Sequence, residues 1–129
     1  MISIEKLTGD KIRKIIEFED AEGNVQKIEI KNPTKKVRAE FYDVITSEEL
    51  ENSDGYFILE YLVKELTNIE LTRPLKEIEE EEYVSMAFSE TIKELSSIIH
   101  ELVREFVMKI ETDVEVTDAQ RMLNEKIDN

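Results

Sequence analysis

Apolar and charged residues alternate along two short runs near the amino terminus, which predicts a β-hairpin over Lys11–Lys31. Between the runs, the segment Asp20–Asn24 predicts a type I turn followed by a bulge, in which Gly23 adopts a positive φ without a Cβ clash. Because two strands alone are marginally stable in water, we expect their apolar face to rest on other elements. That face consists of Ile16 and Phe18 on the first run and Ile28 and Ile30 on the second.

Apolar residues at helical spacing follow the hairpin and predict two helices. Asn32 is expected to cap the first helix and Pro33 to be its first residue, where the missing proline N–H would have no intrahelical partner. A polar joint over Thr46–Gly55 precedes the second helix, which we expect Ser53 to cap and Asn68 to end in a left-handed conformation. The apolar faces consist of Val37, Phe41, Val44 and Ile45 in the first helix, and of Leu59, Leu62, Val63 and Leu66 in the second.

The longest helical pattern follows Pro74 and extends almost to Ile110. Its main apolar positions are spaced by 4, 3, 4, 3 and 4 residues, like a coiled-coil seam. Two interpretations stay open, since the seam is either a core helix of this chain or in part a docking site for a helix of another chain. Ile98, Val103, Val107 and Ile110 widen the stripe, which favours burial against more than one neighbour. The seam consists of Phe88, Ile92, Leu95, Ile99, Leu102 and Phe106.

Beyond this pattern, the acidic segment Glu111–Glu115 predicts a linker, and Thr117–Gln120 has the spacing of a capping box for a short last helix. Together the elements predict an α+β fold, with an N-terminal β-hairpin packed on a small bundle of about four helices. We expect residues 1–110 to form a single α+β domain. Residues 111–129 are expected to form an acidic linker and a short C-terminal helix, and the linker allows this segment to be flexible.

Length and charge narrow the function classes. A chain of 129 residues fits one domain, and its net charge of −14 opposes nucleic-acid backbones and anionic membranes, so we expect neither as a partner. The absence of cysteine is compatible with a reducing compartment. The longest stretch without a charged residue, Tyr83–Ser89, is far shorter than the ~20 residues of a membrane span. Glu5 and Lys6 interrupt any signal peptide, so we expect a soluble, unsecreted protein.

One segment contains half of a zinc-protease signature, His100 followed by Glu101. A zinc protease needs a second histidine one helical turn later, but Arg104 stands there and His100 is the single histidine of the chain. The three glycines are too dispersed to form a phosphate-binding loop, and the acidic run Glu79–Glu82 lacks the loop that spaces calcium ligands. We therefore predict no enzyme activity, no catalytic, cofactor-binding or metal-binding residues, and no cofactor.

Charge is distributed unevenly along the chain. Residues 1–38 contain nine basic and seven acidic side chains, a net charge of +2. The other 91 residues therefore carry a net charge of −16, the difference between −14 and +2. Such polarity allows identical subunits to align head to tail in a homo-oligomer, or the acidic helices to receive a basic partner.

Three segments occur in a recognisable order between Lys11 and Ile110: the hairpin KIIEFEDAEGNVQKIEIKNPT, the helical YFILEYLVKELTNIEL, and LKEIEEEEY before the long helix. In order, size and acidity, they resemble the tail assembly chaperones of long-tailed bacteriophages and related prophages. The resemblance implies a small α+β protein of the bacterial host cytoplasm. It implies as partners the tape measure protein and the tail-tube protein, whose subunits polymerise around the tape measure. The family has no catalytic signature to transfer, and the resemblance identifies no partner-binding residues.

The mechanism implied by the resemblance requires no reaction. An acidic helical chaperone would cover apolar stripes of a long helical client in its own grooves, while its charge keeps the complex dispersed. The candidate grooves are part of the Phe88–Phe106 surface and the face of the Leu59–Leu66 helix. Two alternative functions are an acidic DNA mimic that inhibits a DNA-binding protein and a minor structural component of the tail.

Overall fold

The computed structural model describes the backbone of residues 1–47 and 55–128 and the side chains of residues 1–47 and 55–110. This described part contains a β-hairpin followed by four α-helices, which confirms the predicted α+β fold. Residue contacts divide the chain into two compact units, Met1–Ile98 and Ile99–Asn129, and the boundary predicted after Ile110 stays a prediction. The elements are a 3-10 turn (Ile4–Leu7), β1 (Ile12–Glu19), β2 (Val25–Lys31), α1 (Lys35–Ile45), α2 (Tyr56–Leu66), α3 (Leu75–Glu79) and α4 (Met86–Asp128).

The hairpin turn forms as its sequence predicts. β1 and β2 pair antiparallel, and the Asp20 N–H donates a hydrogen bond to the Asn24 carbonyl over 2.9 Å. The Gly23 N–H donates to the Asp20 carbonyl over 3.0 Å, and Gly23 has a φ of 85°. Because a Cβ would be strained at this φ, glycine at this position fixes the turn and hence the register of the two strands.

The core of the first unit lies between the hairpin and the helices. Two polar contacts hold the hairpin in place: Arg13 Nε donates to Glu94 Oε1 of α4 over 2.6 Å, and Ile30 forms an isolated antiparallel bridge with Thr67, directly after α2. On the hairpin face that the sequence predicted to be apolar, Ile16, Ile28 and Ile30 are at most 9% exposed and Phe18 is half-buried, so this face is covered by the rest of the unit. Among the described residues of this unit, the buried apolar side chains are Ile16, Ile28, Ile30, Val37, Phe41, Leu62, Val63, Leu66, Leu75, Ala87, Leu95 and Ile98.

The start of α1 differs from the prediction. Thr34, not Asn32, is the N-cap, and its hydroxyl accepts a hydrogen bond from the Val37 N–H over 3.2 Å. Asn32 instead closes the base of the hairpin, since its N–H donates to the Lys11 carbonyl over 3.0 Å and its side-chain amide donates to the Asp10 carbonyl over 2.8 Å. The strand pairing therefore uses the residue that local capping preference had assigned to the helix.

The end of α2 also differs. No residue other than glycine has a positive φ in the described part of the chain, so Asn68 is not a left-handed terminator. Its side chain lies along β2, where Oδ1 accepts from the Glu29 N–H over 3.0 Å and Nδ2 donates to the Lys27 carbonyl over 2.9 Å. Asn68 thus imitates the peptide group of a neighbouring strand. The predicted cap Ser53 lies outside the described residues.

The helical pattern after Pro74 is two helices, not one. α3 ends at Glu79, and α4 begins at Met86 after Ser85, whose hydroxyl accepts a hydrogen bond from the Phe88 N–H over 3.1 Å. α4 then continues through Glu111–Glu115, where the sequence predicted a linker, and through the predicted capping box. The segment from Met86 to Asp128 contains no glycine or proline, and glutamate is a good helix former, so acidity alone does not interrupt the helix.

Candidate partner-binding surface

The residues that the sequence singled out for possible chemistry are all exposed. His100 and Arg104 are both exposed on α4, one helical turn apart. Glu79–Glu82 is an exposed run in which Glu81 Oε1 is 2.8 Å from Arg73 Nη2. Within residues 1–47 and 55–110, no group of three or more His, Cys, Asp or Glu side chains is arranged to hold a metal ion.

The face of α2 that was a candidate groove is used by the core. Leu62, Val63 and Leu66 are at most 1% exposed, and only Leu59 is half-buried. On its other side, α2 borders an open groove of about 710 Å³, partly lined by Tyr61. The Tyr61 hydroxyl donates to Glu40 Oε2 over 2.9 Å. Burial, followed by the hydrogen bond and charge of Glu40, raises the pKa of Tyr61, so its phenol stays protonated.

In the first unit, the buried face of α4 is rotated from the centre of the predicted seam. Phe88 and Ile92, both seam positions, are only half-buried. Thr91 is 2% exposed although it is polar, because its hydroxyl donates to the Ala87 carbonyl over 2.7 Å and needs no other partner. The buried positions of this part of the helix are Ala87, Thr91, Leu95 and Ile98.

In the second unit, α4 carries an apolar surface that we call the outer stripe: Ile99, Val103, Phe106, Val107 and Ile110. Ile99 and Phe106 are half-buried, whereas Val103, Val107 and Ile110 keep 39%, 46% and 46% of their surface exposed. At about 100° per residue, the five side chains fall within an arc of about 100°. An apolar stripe of this width normally faces a core, so the outer stripe has the form of an incompletely covered contact surface.

A second apolar feature is a cavity of about 180 Å³ in the first unit, bordered by α2, α3 and the first turns of α4. Its wall is mostly hydrocarbon, and the Thr91 hydroxyl in it is already bonded to Ala87. Every buried side-chain N or O atom in the described part has a hydrogen-bond partner, so the cavity offers little to water. Most of the wall comes from Val63, Ile69, Leu71, Leu75, Phe88 and Ile92.

Charge is distributed unevenly between the hairpin and the helices that carry these apolar surfaces. The mildly basic first 38 residues include the whole hairpin, and the strongly acidic remainder includes α2, α3 and α4. Among the described residues, no helix has both the length and the apolarity that crossing a membrane would require. A helical partner with basic side chains beside its apolar stripe would complement the acidic helices.

The described residues therefore offer an exposed apolar stripe on α4, in a chain with surplus negative charge. Compared with protein-family models, with characterised proteins and with solved structures, the chain shows no match.

Proposed function

We propose that this protein is a tail assembly chaperone of a long-tailed bacteriophage or prophage, which binds the tape measure protein in the bacterial host cytoplasm and promotes tail-tube assembly without catalysis. The observation that carries the proposal is the outer stripe, whose residues Val103, Val107 and Ile110 stay exposed in a chain of net charge −14. The resemblance in element order, size and acidity supplies the identity of the client.

The proposed mechanism follows from the apolar side chains of the outer stripe and from the negative charge of the chain. A tape measure helix would lay its own apolar stripe on the outer stripe, so that both are removed from water. The negative charge of the chaperone would keep each complex apart from the next, because like-charged complexes repel one another at short range. The charge also favours a client segment that carries lysine or arginine beside its apolar positions.

The first test is co-expression of the full chain with the tape measure protein of the same phage or prophage, followed by capture of either protein. We expect co-purification at low salt, with Val107→Asp and Ile110→Asp together lowering the captured amount by about tenfold or more, because two carboxylates would be buried against apolar surface. Val25→Asp is the matched control, since Val25 is 68% exposed and lies in the hairpin. No co-purification at low salt, or equal loss in both variants, would contradict the proposal.

Two further measurements separate the alternative functions. A DNA mimic would be displaced from its basic partner by duplex DNA, whereas a chaperone complex held by apolar contact would not be. A minor structural component would remain in purified particles and be found there by mass spectrometry. A chaperone is expected in the assembly intermediates and absent from the finished tail.

A further inference from the structure

The two outer edges of the hairpin differ in whether another part of the described chain covers them. The outer edge of β2 is covered by Thr67, which bridges to Ile30, and by the Asn68 amide, which bonds to Lys27 and Glu29. No strand pairs with the outer edge of β1 within the described residues. An uncovered strand edge is a template for another strand, so β1 is the place where the sheet can grow.

The hydrogen-bond pattern identifies the backbone groups on this open edge. Asp20 bonds to Asn24 across the hairpin, and antiparallel ladders alternate, so the even-numbered residues of β1 before Asp20 bond towards β2. The Asn68 contacts agree with this alternation, since they occupy outward groups of odd-numbered residues in β2. On β1, the N–H and C=O groups of Ile15, Glu17 and Glu19 therefore point away from the sheet.

The side chains of β1 do not protect this edge against a second copy of itself. Arg13 and Lys14 stand in its first half, and Glu17 and Glu19 stand in its second half. Arg13 and Lys14 share one acidic partner, Glu94, so the first half of the strand keeps a surplus of positive charge. Charges of one sign would repel an identical strand, but an antiparallel pair brings this half of each copy beside the acidic half of the other. Between them lies Ile15, a large apolar side chain that is 52% exposed. The edge is thus complementary to its own copy in charge and apolar at its centre.

The charge of the whole chain also favours contact at this edge. Two copies of net charge −14 repel each other, but residues 1–38, which include β1, carry a net charge of +2. Contact through the hairpins joins the least acidic parts of the two copies, while the acidic helices can be screened by salt over about 8 Å at physiological ionic strength. Arg13 and Lys14 both contact Glu94, which holds β1 in position before a second strand arrives.

We propose that two copies of this chain associate through the outer edges of β1, antiparallel and centred on Ile16, to form a four-stranded sheet. This register bonds Ile15 of each copy to Glu17 of the other and places the first half of each β1 beside the acidic second half of the other. It uses the regular part of the strand, beyond the irregularity between Ile12 and Lys14. The proposal does not depend on the function proposed above. A strand pair is a small interface, so the dimer is weak and becomes populated only as the protein concentration rises.

Cysteine cross-linking tests the proposed register directly. The chain has no cysteine of its own, so an introduced cysteine is the only thiol that can react. In the proposed register, the two Ile15 Cα atoms lie about 8–9 Å apart on the same face, and the two Val25 Cα atoms lie about 25 Å apart. Ile15→Cys should therefore be joined by a short bis-maleimide, whereas Val25→Cys, at 68% exposure, should not. Equal cross-linking of the two variants, or none with Ile15→Cys, would overturn the proposal.

Charge reversal tests whether the opposite charges along β1 drive dimerisation. Glu17→Lys with Glu19→Lys makes the strand uniformly basic, so like charges meet in any antiparallel register, and dimerisation should weaken about tenfold or more in sedimentation equilibrium. The control is Glu79→Lys with Glu80→Lys, which changes the net charge by the same amount. Glu79 is the last residue of α3 and Glu80 follows it; both are exposed, and we expect the dimer to stay intact. Circular dichroism must show that both variants stay folded, because Glu17 faces Lys27 across the hairpin.

Two results would overturn the proposal in this second experiment. One is a wild-type protein that stays monomeric up to about 1 mM, where even a weak contact is half-occupied. The other is a dimer that weakens equally in both charge variants, since that would show dependence on net charge alone.

Discussion

Replacing Asn68 by alanine would test whether this one side chain holds α2 against the hairpin. The change removes two hydrogen bonds, from the Glu29 N–H over 3.0 Å and to the Lys27 carbonyl over 2.9 Å. A net hydrogen bond contributes about 0.5–1.5 kcal/mol, and these two are exposed, so water replaces part of the loss. We expect the free energy of unfolding to fall by about 1–2 kcal/mol.

The measurement is urea unfolding of the full chain, followed by circular dichroism. Asn24→Ala is the matched control, since Asn24 is an exposed residue of the same hairpin and, within the described residues, bonds through its backbone and not through its side chain. Amide exchange gives a local readout: the Glu29 N–H should exchange about tenfold faster in Asn68→Ala, and unchanged in the control. An unfolding free energy and a Glu29 exchange rate equal to those of the wild type would refute the assigned contact.

Three other changes test the fold. Leu62→Ala empties a position with 0% exposure and should lower the free energy of unfolding by about 2–5 kcal/mol in the same urea assay; a loss below that of a surface change would contradict its place in the core. Thr34→Ala removes the N-cap of α1 and should cost about 1 kcal/mol, whereas no loss would argue for another cap. The pKa of Asp20 is lowered by the side-chain hydrogen bond from Gln26 and then by the Asn24 N–H, so its contribution is present above the unfolded-state pKa and is lost as pH falls through the folded-state pKa. Asp20→Asn should therefore be less stable than the wild type at pH 7 and equally stable below both pKa values, and a difference independent of pH would refute this.

The parts of the fold that depend on residues close together in the sequence were predictable. The turn at Gly23 follows from the need for a positive φ, and the apolar faces of β1 and α2 follow from their spacing. The errors lie where distant residues compete. Asn32 suits a helix cap locally, but pairing with Lys11 at the base of the hairpin uses its N–H, and Thr34 takes the cap.

The candidate surface was predictable only in outline. Spacing identifies an apolar stripe on α4, but it cannot tell which edge of a wide stripe is buried, because that depends on the elements packed against the helix. Thr91 shows this, since a residue outside the predicted seam is buried where seam residue Phe88 is not. The contact between Asn68 and β2 joins residues about 40 positions apart and leaves no local signal in the sequence.

The size of the outer stripe determines how a chaperone of this kind could hold a client. Full burial of a valine or isoleucine contributes about 1.5–3 kcal/mol, and Val103, Val107 and Ile110 are a little under half exposed, so covering them contributes about 2–4 kcal/mol. A client stripe of similar size contributes about as much again, which gives about 4–8 kcal/mol for the contact. Association alone costs about 4–15 kcal/mol in lost freedom of motion, so one stripe on one copy leaves little or no surplus to retain a client helix. Several copies along a long client, or copies linked in pairs, would raise the effective concentration of each weak contact, so that the assembly holds together while every single contact remains easy to release.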